Sequence, residues 1–180
     1  VIHLHNERPA PLDAELEVAL FRAGEISVGG ATRALALAPR ASQELPVVAL
    51  LEGFRDLSCA YRFGPPACDL VVATLRSGGT ALAQAVHFPA GRPSGRELQL
   101  GLTAEVAARA DGDADLILRT RRFAQAIAVQ GRGLRPDDNY FHLAPGAVRT
   151  VHLRRRPGAT GPLRGAVQAL NAESATSFVV

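Results

Sequence analysis

The feature that most constrains this chain is its rhythm: short apolar stretches, some alternating strictly with polar residues, separated by turns rich in Gly and Pro. Leu16, Val18 and Leu20 alternate with Glu15, Glu17 and Ala19, the pattern of a strand with one buried face. The same reading predicts strands at 1–6, 33–38, 44–50, 57–63, 69–76 and 80–88. A second series follows at 98–108, 114–119, 123–130, 139–143, 147–154, 164–170 and 176–180. Ser77-Gly78-Gly79 is a hairpin connection in which Gly supplies positive φ at no steric cost. The alanines of 102–110 would suit a helix, yet no stripe of three- and four-residue spacing is sustained there. A parallel sheet needs crossover helices between its strands, and the sequence offers none. The expected class is all-β and antiparallel.

The clearest break in composition is Pro89-Ala90-Gly91-Arg92-Pro93-Ser94-Gly95-Arg96, rich in Pro, Gly and Arg and without a large apolar residue. It divides the chain into 1–90 and 97–180. Each part then carries about seven strands in about 90 residues, the size of an immunoglobulin-like sandwich. Two consecutive immunoglobulin-like antiparallel sandwiches are therefore expected, although the halves share no repeat.

Composition excludes several classes of function. Hydrophobic content of 47% and charged content of 21% are those of a globular chain with a core. Charged or turn residues interrupt every apolar run before membrane-spanning length, and no signal peptide is visible at Val1-Ile2-His3-Leu4-His5. The expectation is a cytoplasmic protein that engages no membrane. There is no Met, so the chain is expected to be a piece of a longer one, and every basic residue other than His is Arg. With abundant Ala, Gly and Pro, that usage points to a G+C-rich, bacterial coding sequence. The net charge of +3 is spread among acidic residues, and Arg119/Arg121/Arg122 and Arg154-Arg155-Arg156 lack the interleaved aromatics of a nucleic-acid surface.

No phosphate loop, dinucleotide fingerprint or nucleophile elbow is present, and no cofactor is expected. His3 and His5 share one face of a strand, as either a metal clamp or a solvent-facing pair opposite Ile2 and Leu4. The shortage of nearby ligands favours the second reading, so no metal site is assigned. Cys59 and Cys68 flank a turn and read as two reduced, partly buried thiols rather than a disulfide framework. Glu97, Glu105, Asp111, Asp113 and Asp115 could supply by number the two carboxyl groups of glycoside hydrolysis. Asp111-Gly112-Asp113-Ala114-Asp115, however, reads as an exposed turn, and it lacks the ligand order of an EF-hand. There is no Trp, and Tyr61 and Tyr140 beside Phe residues read as core. Phe21, Phe54, Phe63, Phe88, Phe123, Phe141 and Phe178 read as core or inter-module packing, which leaves no flat aromatic platform for sugars.

One stretch is more distinctive. Asp137-Asp138-Asn139-Tyr140-Phe141-His142-Leu143-Ala144-Pro145-Gly146 combines a turn cap, a bulky short strand and a Pro-Gly turn, and Val148 to Leu153 returns as another strand. It resembles the S-D-N-(F/Y)-F-D-L-L-P-G signature in the C-terminal immunoglobulin-like domain of β-mannosidases and related family 2 glycoside hydrolases. Asp138, Asn139, Tyr140, Phe141, Leu143, Pro145 and Gly146 match it, whereas Asp137, His142 and Ala144 depart from it. Arg122 to Val129 is similar to the strand before the signature. In the first half, Asn6-Glu7-Arg8, Tyr61 to Pro66 and Asp69 to Leu75 resemble, more loosely, the preceding module.

The resemblance implies a parent that is a retaining exo-glycosidase acting on terminal β-mannosides or related sugars. Its catalytic glutamates would lie on an upstream TIM barrel, which alone needs about 250 residues. No catalytic residue is therefore assigned here. The chain is expected to be inactive by itself, with the barrel and N-terminal domains of its parent as partners. The alternatives are a free-standing carbohydrate-binding module and a protein-interaction sandwich that pairs through its edge strands.

Overall fold

A computed structural model describes residues 1–51, 67–93, 95–97 and 99–180. Contacts divide the chain into two compact units, Val1–Pro93 and Ser94–Val180. Both are built from antiparallel strands, and the fold is all-β sandwich in class.

In the first unit the described strands are β1 (Ile2–Asn6), β2 (Leu12–Arg22), β3 (Ile26–Leu37), β4 (Ala41–Leu45), β5 (Leu70–Ser77) and β6 (Thr80–His87). They form a four-stranded sheet in the order β3-β2-β5-β6 and a two-stranded sheet β1-β4. Leu16, Val18 and Leu20 face inward as their alternation requires, and Val71 and Leu75 on the neighbouring strand join them. Leu4 and Leu45 close this core from the smaller sheet. Gly78 and Gly79, with φ of 55° and 79°, make the tight β5–β6 turn. Asn6 is buried and fastens the start of the unit. Its Nδ2 donates to the carbonyls of Ala10, Leu37 and Ala38 at 3.0–3.1 Å, and its Oδ1 accepts the Arg8 N–H.

The second unit contains β7 (Thr103–Ala108), β8 (Ala114–Arg119), β9 (Ala124–Gly131), β10 (Leu134–Pro136), β11 (Phe141–Leu143), β12 (Val148–Arg155), β13 (Arg164–Gln168) and β14 (Thr176–Val179). Two four-stranded sheets, β10-β12-β8-β7 and β11-β9-β13-β14, enclose one core. Leu116, Leu118, Val151 and Leu153 enter it from one sheet, and Ile127 and Val167 from the other; all are fully buried. Burying side chains of this size stabilises by about 1.5–3 kcal/mol each.

Several expected strands differ from those observed. The stretch 44–50 is not one strand: β4 ends at Leu45, and Pro46 leads into a turn of 3-10 helix, Val47–Ala49. Proline holds its φ at −62° there and brings no N–H to continue the ladder. The strand expected at 33–38 begins earlier, at Ile26, because long pairing with β2 carries it through Gly29 and Gly30. The short β10 was not anticipated, since three residues ending in Pro carry little alternation. Among the described residues the units have six and eight strands rather than about seven each. The strand expected at 57–63 lies outside the described residues.

Candidate functional site: the Asp138–Gly146 corner

The distinctive stretch sits where the chain crosses from β10 to β11 and turns into β12. β11 pairs with β9 through Phe141↔Ile127, and the Tyr140 N–H donates to the Ile127 carbonyl at 2.7 Å. Beyond that point the backbone ladder stops and the Asn139 side chain continues it. Its Oδ1 accepts the Val129 N–H at 2.7 Å, and its Nδ2 donates to the Val129 carbonyl at 3.1 Å. An amide carries a donor and an acceptor in the geometry of a peptide unit, so one side chain satisfies both groups of a strand residue. The Asp138 carboxylate accepts the Asn139 N–H at 2.7 Å and also pairs with Arg149 on β12. The Arg149 guanidinium lies 4.1 Å from the centroid of the Phe141 ring, so it ties both sides of the corner together.

Phe141 and Leu143 point inward, as the two-residue period requires. Tyr140 does not. Expected in the core, it is 70% exposed, with φ of 61°. The left-handed backbone needed to pass from the Asn139 clip into β11 turns the ring out to solvent. Pro145-Gly146 closes the corner as a turn, with the Ala147 N–H donating to the Ala144 carbonyl at 3.0 Å and Gly146 at φ of 71°. The positions that depart from the signature are also engaged. The Asp137 carboxylate accepts the His152 N–H at 2.9 Å. His142 Nδ1 accepts the Ala126 N–H at 3.0 Å, capping a backbone that Ala126 holds at φ of 44°.

The candidate carboxylates are scattered. Glu97 pairs with Arg122, and Glu105 is exposed on β7. The exposed turn expected over 111–115 is confined to its first residues, because Ala114 already starts β8 and is completely buried. Asp113 and Asp115 instead flank the half-buried His152 ring, with Nε2–Oδ2 and Nδ1–Oδ1 separations of 3.2 Å. Hydrogen bonding from His152 holds the Asp115 carboxyl below the usual range; burial opposes this and Arg109 reinforces it. Both carboxylates are thus committed to holding a ring. His3 and His5 are exposed as expected, against Glu44 and Ser42 of β4. Cys68 is buried, and Cys59, Tyr61, Phe54 and Phe63 lie outside the described residues. Phe123, Phe141 and Phe178 are core, whereas Phe21 and Phe88 are half-buried. Sequence reasoning missed Asn171, another side-chain amide that satisfies backbone at β9, here of two residues: its Oδ1 accepts the Gln125 N–H at 2.8 Å and its Nδ2 donates to the Phe123 carbonyl at 2.9 Å. Nothing near Asn171 in the sequence marks it, because its partners lie more than forty residues away.

No family model matches the sequence, and no curated protein does. Solved structures do match. An exo-chitosanase from Amycolatopsis orientalis superposes over 99% of this chain with a TM-score of 0.62 and 14% identity. A β-D-mannosidase from Dictyoglomus thermophilum superposes over 92% with a TM-score of 0.62 and 11% identity. The likeness is one of fold. This chain spans 25% of the exo-chitosanase and 19% of the β-mannosidase. Among the described residues, no helix is long and apolar enough to cross a membrane.

Proposed function

We propose that this chain is the non-catalytic, C-terminal pair of immunoglobulin-like modules of a family 2-type glycoside hydrolase resembling a β-mannosidase. Its role is to brace the catalytic barrel of the parent and to shape the outer edge of the substrate pocket. The observation that carries this reading is the Asp138–Gly146 corner, whose matching residues have distinct structural duties. Asn139 clips β9, Asp138 pairs with Arg149, and Phe141 and Leu143 enter the core. The fold likeness to parts of an exo-chitosanase and a β-mannosidase supports the same reading. Tyr140, an exposed aromatic ring on the corner, is offered as a contact with the rest of the parent. The parent is a retaining exo-glycosidase acting on terminal β-mannosides or related β-glycosides.

The test is the reading frame upstream of Val1 together with the isolated chain. The frame encodes a barrel of about 250 residues bearing two catalytic glutamates. The isolated chain folds and leaves aryl β-mannosides intact. Turnover by the clean chain, or a frame that lacks a barrel, refutes the proposal.

A further inference from the structure

The glycosidase reading gives no work to His3 and His5. They alternate on β1 and so lie on one face, about 6.6 Å apart at strand rise. Opposite them on β4, Glu44 stands in register with His3 and Ser42 with His5. His3 Nδ1 is 3.2 Å from Glu44 Oε1, and His5 Nδ1 is 2.7 Å from Ser42 Oγ. When Nδ1–H donates, an imidazole keeps its lone pair at Nε2. Both rings are therefore oriented through the same nitrogen by the same neighbouring strand, which leaves Nε2 as the ligand atom of each. Metal-binding histidines are held in this way, with the second ring nitrogen fixed by a carboxylate, hydroxyl or carbonyl. Leu4 between the histidines and Asn6 after them are buried and anchor the strand from its other face, so the backbone beneath the site is fixed. Both rings are exposed to solvent, and the His5–Ser42 end borders a surface depression that also includes Glu7 and Arg40.

We propose that His3 and His5 form a two-imidazole surface site for a divalent late transition-metal ion, with Glu44 and Ser42 as positioning residues. Among the described residues, no three His, Cys, Asp or Glu side chains are placed to hold a metal together. The protein thus supplies two ligands and water completes the shell. That donor set suits the tetragonal geometry of Cu(II), followed by Ni(II), and falls short of the four protein ligands of structural zinc.

The test is calorimetric titration of Cu(II), Ni(II) and Zn(II) into the whole chain with its α-amino group acetylated. Acetylation matters because a free amine two residues before His3 chelates Cu(II) together with the intervening backbone amides and the His3 ring, without His5. One equivalent of Cu(II) binds with a Kd on the order of 10 μM, ahead of Ni(II) and Zn(II). H3A and H5A each weaken binding at least about tenfold, and E44Q weakens it by about tenfold with unchanged stoichiometry. The Cu(II) spectrum shows hyperfine coupling to two imidazole nitrogens, reduced to one in H5A. Both histidines are exposed, so unchanged circular dichroism establishes that the variants are folded. Undiminished affinity in H5A, or a wild-type Kd above about 1 mM, overturns the proposal. Undiminished affinity in E44Q removes Glu44 from it.

Discussion

Replacing Asn139 by alanine removes a side chain that does the work of a strand residue. Its hydrogen bonds to the Val129 N–H and carbonyl, 2.7 and 3.1 Å long, are both lost. A typical intramolecular hydrogen bond contributes a net ~0.5–1.5 kcal/mol, which gives about 2 kcal/mol for the pair. Val129 is only 3% exposed, so a backbone group left without a partner costs more than water would recover. The expected loss is therefore about 2–3 kcal/mol. For a domain of this size that lowers Tm by roughly 10–20 °C. Urea unfolding followed by far-UV circular dichroism gives the free energy, and amide exchange at Val129 localises it. N139D, which keeps the acceptor but sets a carboxylate against the Val129 carbonyl, does not rescue the loss. D138A breaks only a half-exposed ion pair and one local bond, and costs about 1 kcal/mol or less. A loss below about 0.5 kcal/mol in N139A, or full stability in N139D, would refute the clip as the basis of the corner.

Gly165→Ala tests packing between β13 and β14. Its Cβ would lie 2.2 Å from Phe178 Cζ and 2.7 Å from the Gln130 carbonyl oxygen, so Phe178 must leave its seat. The expected cost is about 2–4 kcal/mol in denaturant unfolding, and a further change of Phe178 to Leu recovers part of it. Leu116→Ala, at a fully buried position, costs about 3–4 kcal/mol in the same measurement. Asp115 has its folded-state pKa lowered below 3.8, so its charge stabilises the fold above that value and ceases to do so as pH falls through the folded pKa. The stability gap between wild type and D115N accordingly narrows as pH falls from the ordinary carboxylate range through the lowered folded pKa; a gap that widens on acidification contradicts this sign. Tyr140→Asn relieves a bulky residue from left-handed backbone and leaves stability unchanged or raised by up to about 1 kcal/mol; a loss above about 1 kcal/mol would show that the exposed ring packs.

The sequence alone determined the class of this protein. Period-two alternation at Leu16, Val18 and Leu20 and the Gly and Pro turns specify antiparallel strands with one buried face, because side-chain direction along a strand is a local property. The Asp138–Gly146 corner was legible as a corner for the same reason: turn caps and Pro-Gly turns act within a few residues. What tertiary structure decided is wherever partners are distant along the chain. Tyr140 looked like core beside Phe141, yet the pairing of β11 with β9 that carries Phe141 and Leu143 into the core leaves its ring on the solvent side. Asp113 and Asp115 looked like turn residues, yet β12 brings His152 between them. His3 and His5 share a face by periodicity, but only the register of β1 against β4 sets Glu44 and Ser42 beside them. Local alternation fixes which way a residue points; only strand pairing fixes what it meets there.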